Sequence, residues 1–438
     1  MSNLWGLTLN SIRSPMRKLH SPWIMWAVTV LFVFFQFFLQ LSAGVMINQL
    51  MKSFQLTALG AGMLAGSFYF VYVLLQTPAG ILVDQFGPRR LLGGGGIVCA
   101  IGCLVFAMSH HAALAFVGRL LTGAGASFAF VSSLYLVTQW FPERRFSLMV
   151  GLAETMGMLG TLLGNVYLAD LLQYSSWRDI IWLSALIALL LGIACYLIVR
   201  DKPNEAMLVA TPQTLKEFYK DVTWIIHHPG LWLNGIYAGL LFSVITVFAA
   251  LWGLPYLVVS QHVSLPVSTC ENALAFVGIA IGCPMMGWIY PRLANKNLFL
   301  CVAALVTALL CSWLIYATPM STWLNALLFL FVGIFCSSYV FNYALANQLV
   351  PKHIRSTSIG FTNTLCVAAT PLLQPLGGWI LHLTANIHHP LGQEIYSISN
   401  YHWALSIIPT VLIMAAIIAI FLPKLIHSTP LFARQYHS

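Results

Sequence analysis

Charged side chains are scarce in this sequence. Asp, Glu, Lys and Arg together make up 7% of its 438 residues, whereas they make up about 25% of an average soluble domain. Hydrophobic residues account for 59%. A surface that faces water needs many more charged groups than this composition supplies. The composition therefore excludes a soluble enzyme, a nucleic-acid-binding protein and a disordered scaffold, and it indicates an integral membrane protein.

Closely spaced cysteine pairs are also lacking. The nine cysteines are scattered, and no two of them are separated by two residues, the spacing typical of structural zinc sites. All of them except Cys270 lie inside apolar runs, where cysteine behaves as a small hydrophobic residue. We expect no disulfide framework, no metal site and no cofactor.

Long apolar runs are abundant instead. A membrane-spanning helix needs about 20 apolar residues, and the chain contains twelve such runs. The first run is too long for the core of a signal peptide, so we expect it to remain as the first span. The predicted spans are 24–47, 58–83, 91–109, 113–140, 146–170, 180–199, 231–258, 271–290, 297–317, 322–347, 357–383 and 403–422.

The basic residues provide a test of this number of spans. If the N-terminus is cytoplasmic, all 20 lysines and arginines except Lys52, Arg119 and Arg178 fall in cytoplasmic segments. The positive-inside rule predicts this asymmetry for an even number of spans. We therefore expect both termini in the cytoplasm. The net charge of +9 is then explained by basic residues that face the membrane surface.

The longest polar stretch, 200–230, lies between spans 6 and 7 and divides the chain into halves. It predicts an N-terminal six-helix bundle at 1–199, a cytoplasmic loop at 200–230 and a C-terminal six-helix bundle at 231–438. A faint repeat relates the halves, because Pro142 and Pro351 both follow the fourth span of their half and both precede a glycine by nine residues. Such repeats are typical of transporters.

Residues 80–90, between spans 2 and 3, read GILVDQFGPRR. This segment resembles the loop signature of the major facilitator superfamily, Gly-x-x-x-Asp-Arg/Lys-x-Gly-x-Arg/Lys-Arg/Lys, with Gln85 in place of the usual base. The arrangement of six plus six spans extends the resemblance to the whole chain. The resemblance implies an all-α integral membrane fold, with 12 transmembrane helices in two six-helix bundles.

The resemblance also implies a gate on the cytoplasmic side, formed by Gly80, Asp84, Gly87, Arg89 and Arg90. Asp84 would contact the N-terminus of span 11 and release it during alternation. A carboxylate at the C-terminal end of a helix faces the negative end of the helix dipole and needs a compensating partner. The alternative is that Asp84 is a solvated loop acid balanced by the two arginines.

Arg119 is the one base within a predicted span. An arginine in lipid costs about 2.5–3.5 kcal/mol on insertion scales, so it must face a partner or a watery cavity. With Gly123 and Gly125 it resembles the family's Arg-x-x-x-Gly-x-Gly element, which implies a position near the central cavity. A guanidinium there can bind a substrate carboxylate through paired donors. The alternative is that the side chain extends to the membrane surface.

Glu154 is the only carboxylate well inside a predicted span. It could carry a coupled proton, because burial favours the protonated form of an acid. It could instead form a structural ion pair with Arg119, Arg144 or Arg145 and never titrate. Both interpretations remain open from the sequence.

Two further elements bear on the direction of transport. Span 5 carries Gly151, Gly160 and Gly164 at the spacing of the family's antiporter element, but Asn165 replaces the proline that follows. The loop that begins at Trp140 resembles the Trp-Phe-Pro-x-x-Arg loop of organic-anion symporters. The resemblance therefore favours import over drug antiport.

Other polar and aromatic residues could line a cavity, although each is more often a packing residue. Pro371 and Pro375 are expected to break span 11 and expose backbone carbonyls. The candidates for substrate contact, besides Arg119, are Gln36, Gln40, Tyr69, Tyr72, Tyr237, Trp252, Asn342, Asn363 and Gln374.

These features predict a secondary active transporter that works by alternating access, not an enzyme. We expect a monomer in the bacterial inner membrane, surrounded by the lipid bilayer and without nucleic-acid partners. Its substrate would be a small carboxylate-bearing solute, such as an organic acid, amino acid or short peptide, imported with protons. The alternatives are efflux of a drug or siderophore by proton antiport, and a membrane receptor or regulator that does not transport.

Overall fold

The structure, a computed structural model, describes residues 21–56, 58–201, 215–261, 265–317, 319–384 and 396–427. Within these ranges it consists of helices and the loops that connect them. Among the described residues, twelve helical stretches are long and apolar enough to cross a membrane. The predicted all-α class and the predicted number of spans are both confirmed.

The first six spans follow one another with short connections. A separate short helix, Ile47–Phe54, lies between spans 1 and 2. Span 4 is interrupted at Ser127. The helices of spans 1–6 are Pro22–Val45, Ala58–Phe86, Pro88–Ala107, Ala112–Ala126 with Phe128–Trp140, Phe146–Leu171 and Trp177–Ile198.

The second six spans are preceded by an amphipathic helix, Leu215–His227, within the predicted loop at 200–230. Residues 202–214 of that loop lie outside the described residues. The helices of spans 7–12 are Pro229–Ser243 with Val244–Trp252 and Gly253–Gln261, Leu265–Ile289, Lys296–Tyr316, Thr322–Cys336 with Phe341–Leu349, Arg355–Thr384, and Ile398–Leu405 with Ile407–His427.

The chain divides into two compact units. Unit 1 comprises Met1–Phe146 and Leu159–Glu217, and unit 2 comprises Ser147–Met158 and Phe218–Ser438. The segment Ser147–Met158 of span 5 belongs to unit 2 because its backbone touches that of span 8. A Cβ atom on Gly151 would overlap the carbonyl of Cys283.

Glycines bring the helices of unit 1 into backbone contact. A Cβ on Gly125 in span 4 would overlap Cys99 in span 3, and a Cβ on Gly96 would overlap Gly192 in span 6. Small residues are typical of close helix contacts in membranes, where lipid offers no hydrophobic drive for association. The small residues around Gly125 therefore serve packing.

The structure corrects one expectation about the helices. Span 11 remains one helix, Arg355–Thr384, through both Pro371 and Pro375. Each proline removes a single backbone hydrogen bond, whereas unwinding the span would leave many polar groups unpaired in lipid. Span 7 departs from α-helix instead, and Val244–Trp252 forms a π-helix.

Large apolar side chains cover much of the outer surface. Leu74, Leu309 and Leu372 are more than two thirds exposed, at 72%, 70% and 71%. Such patches are rare on soluble monomers. In a bilayer these side chains contact lipid, which explains why the charged fraction of the sequence can be so low.

Candidate functional site

The centre of the candidate site in unit 1 is Arg119, whose side chain is 1% exposed. Its Nη1 donates to the carbonyl of Leu39 at 2.9 Å, and its Nη2 donates to that of Gln40 at 3.4 Å. The guanidinium also lies 5.2 Å from the ring centre of Phe68. Carbonyl dipoles and the aromatic face stabilise the buried charge. The side chain therefore does not extend to the membrane surface.

Three neutral polar residues surround this arginine. Gln36 Nε2 donates to Gln40 Oε1 at 3.3 Å, and the hydroxyl of Tyr69 interacts with Gln40 and with Arg119. Gln36 is 1% exposed, and its Oε1 has no hydrogen-bond partner in the part of the chain that the structure describes. We call Gln36, Gln40, Tyr69 and Arg119 the Arg119 cluster. Four of the predicted substrate residues thus lie together.

Tyr72, another predicted contact residue, is used for packing. Its ring stacks on Phe68 with a centroid distance of 5.7 Å, and its exposure is 3%. Tyr72 therefore supports the ring against which the guanidinium of Arg119 lies.

The loop at 80–90 is tied to the end of span 6. Gly87 has a φ of 77°, a conformation that favours glycine. Asp201 Oδ1 accepts a hydrogen bond from the Arg89 backbone N–H at 2.8 Å. The Arg89 side chain donates through Nε to the Tyr196 carbonyl at 2.7 Å. Asp84 lies near enough to act electrostatically on the Tyr135 hydroxyl.

Asp201 is a residue that the sequence analysis missed. The Asp201 carboxyl group occupies the space that a Cβ on Gly87 would need. Glycine at position 87 therefore leaves room for this acid. The available signal was its position directly after span 6, beside Arg200 and near a loop rich in arginine. Only the fold brings residues 87 and 201 together.

In unit 2, Glu154 is 3% exposed. Its carboxyl group lies near the hydroxyl of Tyr339 in span 10, a neighbour that the sequence did not indicate. Its Oε2 has no hydrogen-bond partner among the described residues. Next to it, Thr155 Oγ1 donates to the carbonyl of Ala280 at 2.7 Å. Glu154 is thus held against spans 8 and 10.

The remaining candidates of unit 2 have internal partners. Asn342 Nδ2 donates to the Asn234 carbonyl at 3.1 Å, and Asn234 Nδ2 returns a bond to the Asn342 carbonyl at 2.9 Å. Tyr237 donates to the Leu300 carbonyl at 2.9 Å. Asn363 Oδ1 accepts from the Tyr343 hydroxyl at 2.7 Å. These contacts join helices, and they give Asn342 and Tyr237 a structural role.

Gln374 and Trp252 lie at the π-helix of span 7. Gln374 Nε2 donates to the Thr246 carbonyl at 2.8 Å, and Trp252 Nε1 donates to the Gln374 carbonyl at 3.3 Å. Thr370 Oγ1 donates to Thr246 Oγ1 at 2.8 Å. π-helical turns are frequent at functional sites. Thr246 and Thr370 were missed because single threonines in a span carry no sequence signal.

Comparison with known proteins decides the family. The sequence model described as Major Facilitator Superfamily matches residues 19–375. The chain belongs to the Major Facilitator Superfamily. It therefore has the multi-pass membrane fold and the family of secondary transporters, not those of enzymes.

Two relatives are a little under a quarter identical to this chain within the segments that align. Inner membrane transport protein RhmT of Escherichia coli (strain K12) is 24% identical over 259 residues, which cover 55% of this chain and 58% of that protein. The Hexuronate transporter of Bacillus subtilis (strain 168) is 22% identical over 265 residues, which cover 59% and 63%. The chain thus spans less than two thirds of the length of these relatives.

A solved superfamily structure has the same fold. The crystal structure of the transporter FucP matches with a TM-score of 0.66 and 18% identity, and the match covers 91% of this chain and 99% of that chain. This agreement establishes the Major Facilitator Superfamily fold that residues 80–90 and the twelve spans had indicated.

Proposed function

We propose that this protein imports a small carboxylate-bearing solute into a bacterial cell, together with protons. The observation that carries this proposal is the Arg119 cluster, a fully buried positive charge among neutral amides and a phenol. A guanidinium pairs well with a carboxylate, and amides and phenols bind hydroxyl groups. The cluster therefore suits a solute that carries both groups.

The name of one relative supports this substrate class. The Hexuronate transporter of Bacillus subtilis is named for a sugar acid, which combines one carboxylate with several hydroxyl groups. We therefore narrow the proposed substrate to hydroxylated organic acids of about this size. Arg119 anchors the carboxylate, and Gln36 and Tyr69 contact the hydroxyl groups.

Glu154 is the proposed site of the coupled proton. It is buried beside Tyr339, and one of its oxygens has no partner in the described chain. A carboxyl group in such a place changes charge when it gains or loses a proton, and that change can bias a conformational equilibrium. Glu154 and Arg119 thus have separate roles in this proposal.

The proposed mechanism is alternating access of six-helix bundles at 1–199 and 231–438, with both termini cytoplasmic and one chain as the functional unit. The loop at 80–90 is the proposed gate. Asp201 holds Arg89 and Gly87 in place. The loop therefore moves with the end of span 6.

Ligand-dependent thermal unfolding of the purified protein tests the substrate class. The panel contains hexuronates, neutral hexoses, amino acids, dipeptides and lipophilic cations. A ligand at 100 times its dissociation constant stabilises by about 2.7 kcal/mol. We expect hexuronates to stabilise the wild type and Arg178→Lys, but not Arg119→Lys, because lysine lacks the paired donors. Stabilisation by lipophilic cations alone would favour efflux and contradict the proposal.

Uptake into proteoliposomes tests transport and coupling. We expect a pH gradient to drive accumulation by the wild type. Glu154→Gln should abolish accumulation and retain exchange of labelled for unlabelled substrate, because only proton coupling is lost. Binding without any flux would instead indicate a receptor. Unchanged accumulation by Glu154→Gln would remove Glu154 from the mechanism.

A further inference from the structure

Two buried polar side chains lie where spans 8 and 10 begin. Glu271 is 2% exposed and Asn325 is 1% exposed. Across the described ranges, neither carboxylate oxygen of Glu271 and neither terminal atom of Asn325 has a hydrogen-bond partner. A buried polar group without a partner destabilises the fold, and a buried charge without a partner does so more strongly. These two side chains are therefore candidates to bind a ligand.

The packing of the two helices brings these residues to the same height. Gly278 of span 8 touches the backbone of Leu330, and Gly333 of span 10 touches that of Ala275. Farther along, Gly282 meets Ile334 and Ser337, so the two helices run in the same direction.

Helix geometry then fixes where the side chains lie. Glu271 precedes Gly278 by two turns and shares its face, and Asn325 precedes Gly333 by slightly more than two turns. Both lie about 10–12 Å from the contact between Gly278 and Gly333, measured along the helix axes toward the N-terminal ends of spans 8 and 10. Thr322, which lies one turn from Asn325, is near the Glu271 carboxyl group.

Other oxygen atoms at this level also lack partners. Ser268, three residues before Glu271, is 0% exposed, and its hydroxyl has no partner in the described chain. Asn272 donates through Nδ2 to the Ala249 carbonyl at 2.7 Å, but its Oδ1 has no partner there. The neighbourhood therefore offers one carboxylate and several neutral oxygens.

This donor set identifies the chemistry of the ligand. Oxygen ligands select hard cations, whereas soft metals prefer sulfur and nitrogen. Calcium takes six to eight oxygens, and magnesium retains much of its water shell. The single carboxylate of Glu271 matches the charge of a monovalent cation. We propose that Glu271 and Asn325, with Ser268 nearby, bind a sodium ion between spans 8 and 10.

The sequence did not indicate this site, because one acid among neutral oxygens has no motif spacing. All its residues belong to unit 2. The site depends neither on the proposed substrate nor on the proposed proton coupling.

Thermal unfolding of the full chain in detergent, without substrate, tests the proposal. Sodium, potassium and choline chlorides are compared at equal ionic strength. We expect sodium alone to raise the midpoint saturably, by on the order of 2 °C or more. Glu271→Gln and Asn325→Ala should lose this rise. Asn347→Ala should keep it, because Asn347 is an equally buried asparagine at the other end of span 10.

An equal rise in all three salts, or a full sodium response in Glu271→Gln, would overturn the proposal. If the variants do not fold, hydrogen exchange of the wild-type protein tests the sodium site instead. We expect sodium, compared with potassium, to slow exchange at 265–275 and 322–328. Unchanged exchange would mean that only water or a proton occupies the site.

Discussion

Arg119 shows how a single charge is kept inside an apolar helix bundle. Its position in a span marked it as important, because arginine in lipid is costly. The sequence could not reveal that backbone carbonyls of span 1 would accept its hydrogen bonds. Backbone carbonyls are present at every position and leave no trace in the sequence. The proximity of Glu154 to Tyr339 was unforeseen because the two residues lie far apart in the sequence.

Gly87 is a residue whose replacement should be costly. Its φ of 77° disfavours any side chain, and a Cβ would force the Asp201 carboxyl away from Arg89. We expect Gly87→Ala to destabilise unit 1 by about 1–3 kcal/mol, measured as a lower unfolding midpoint.

Gly94→Ala is the matched control for that change. Among the described residues, no atom outside the adjacent part of its own helix lies within 4 Å of a Cβ at Gly94, and alanine is the better helix former by about 1 kcal/mol. The unfolding midpoint of Gly94→Ala should equal that of the wild type or lie slightly above it. Equal midpoints for the two variants would show that the contact between Gly87 and Asp201 has no effect on stability.

At the scale of the helix, the junction before span 7 should respond to pH. Burial lowers the pKa of His228 below its ordinary value of 6.5, and its Nδ1 accepts the backbone N–H of Leu231 at 3.3 Å. A neutral imidazole is therefore favoured in the folded junction. Below about pH 6.5 the unfolded junction binds more protons than the folded one, so its stability falls as the pH falls.

Hydrogen exchange measures this effect. After correction for intrinsic rates, residues 228–234 should be protected at pH 7.5 and lose protection at pH 5.5. His228→Asn should abolish the pH dependence and keep protection at pH 7.5, because asparagine also caps helices and does not titrate. The same loss of protection in His228→Asn at low pH would exclude His228 as the cause.

The helices also show what hydrophobic patterns can and cannot predict. Each span was found because crossing a membrane requires a long apolar run. The π-helix at Val244–Trp252 was not found, since its residues are as apolar as those of an α-helix. The predicted break in span 11 was wrong, because two prolines cost less than an unwound span.

At the scale of the whole molecule, the charge distribution predicts which loops face the cytoplasm. An epitope tag inserted within 202–214 of the full chain should be accessible in everted vesicles. A tag at 318 should be accessible only in right-side-out vesicles. The positive-inside rule gives the reason, since basic residues remain on the cytoplasmic side. The reverse pattern would contradict the proposed orientation of both termini.

The overall fold was predictable to a greater degree than the site. Twelve spans and residues 80–90 sufficed for the superfamily, and the family match and the fold bear this out. Contacts such as those of Gly87 with Asp201 were not predictable, because they join residues distant in the sequence. The Arg119 cluster was predicted in its members but not in its hydrogen bonds.

The cysteines have a consequence for chemical labelling. Seven of the nine are buried, Cys301 is partly so, and Cys270 is the exposed one. A water-soluble maleimide should therefore attach at one position of the native chain without any engineered thiol. Cys270 is adjacent to Glu271, so an environment-sensitive dye there would report optically whenever the start of span 8 gains or loses an ion.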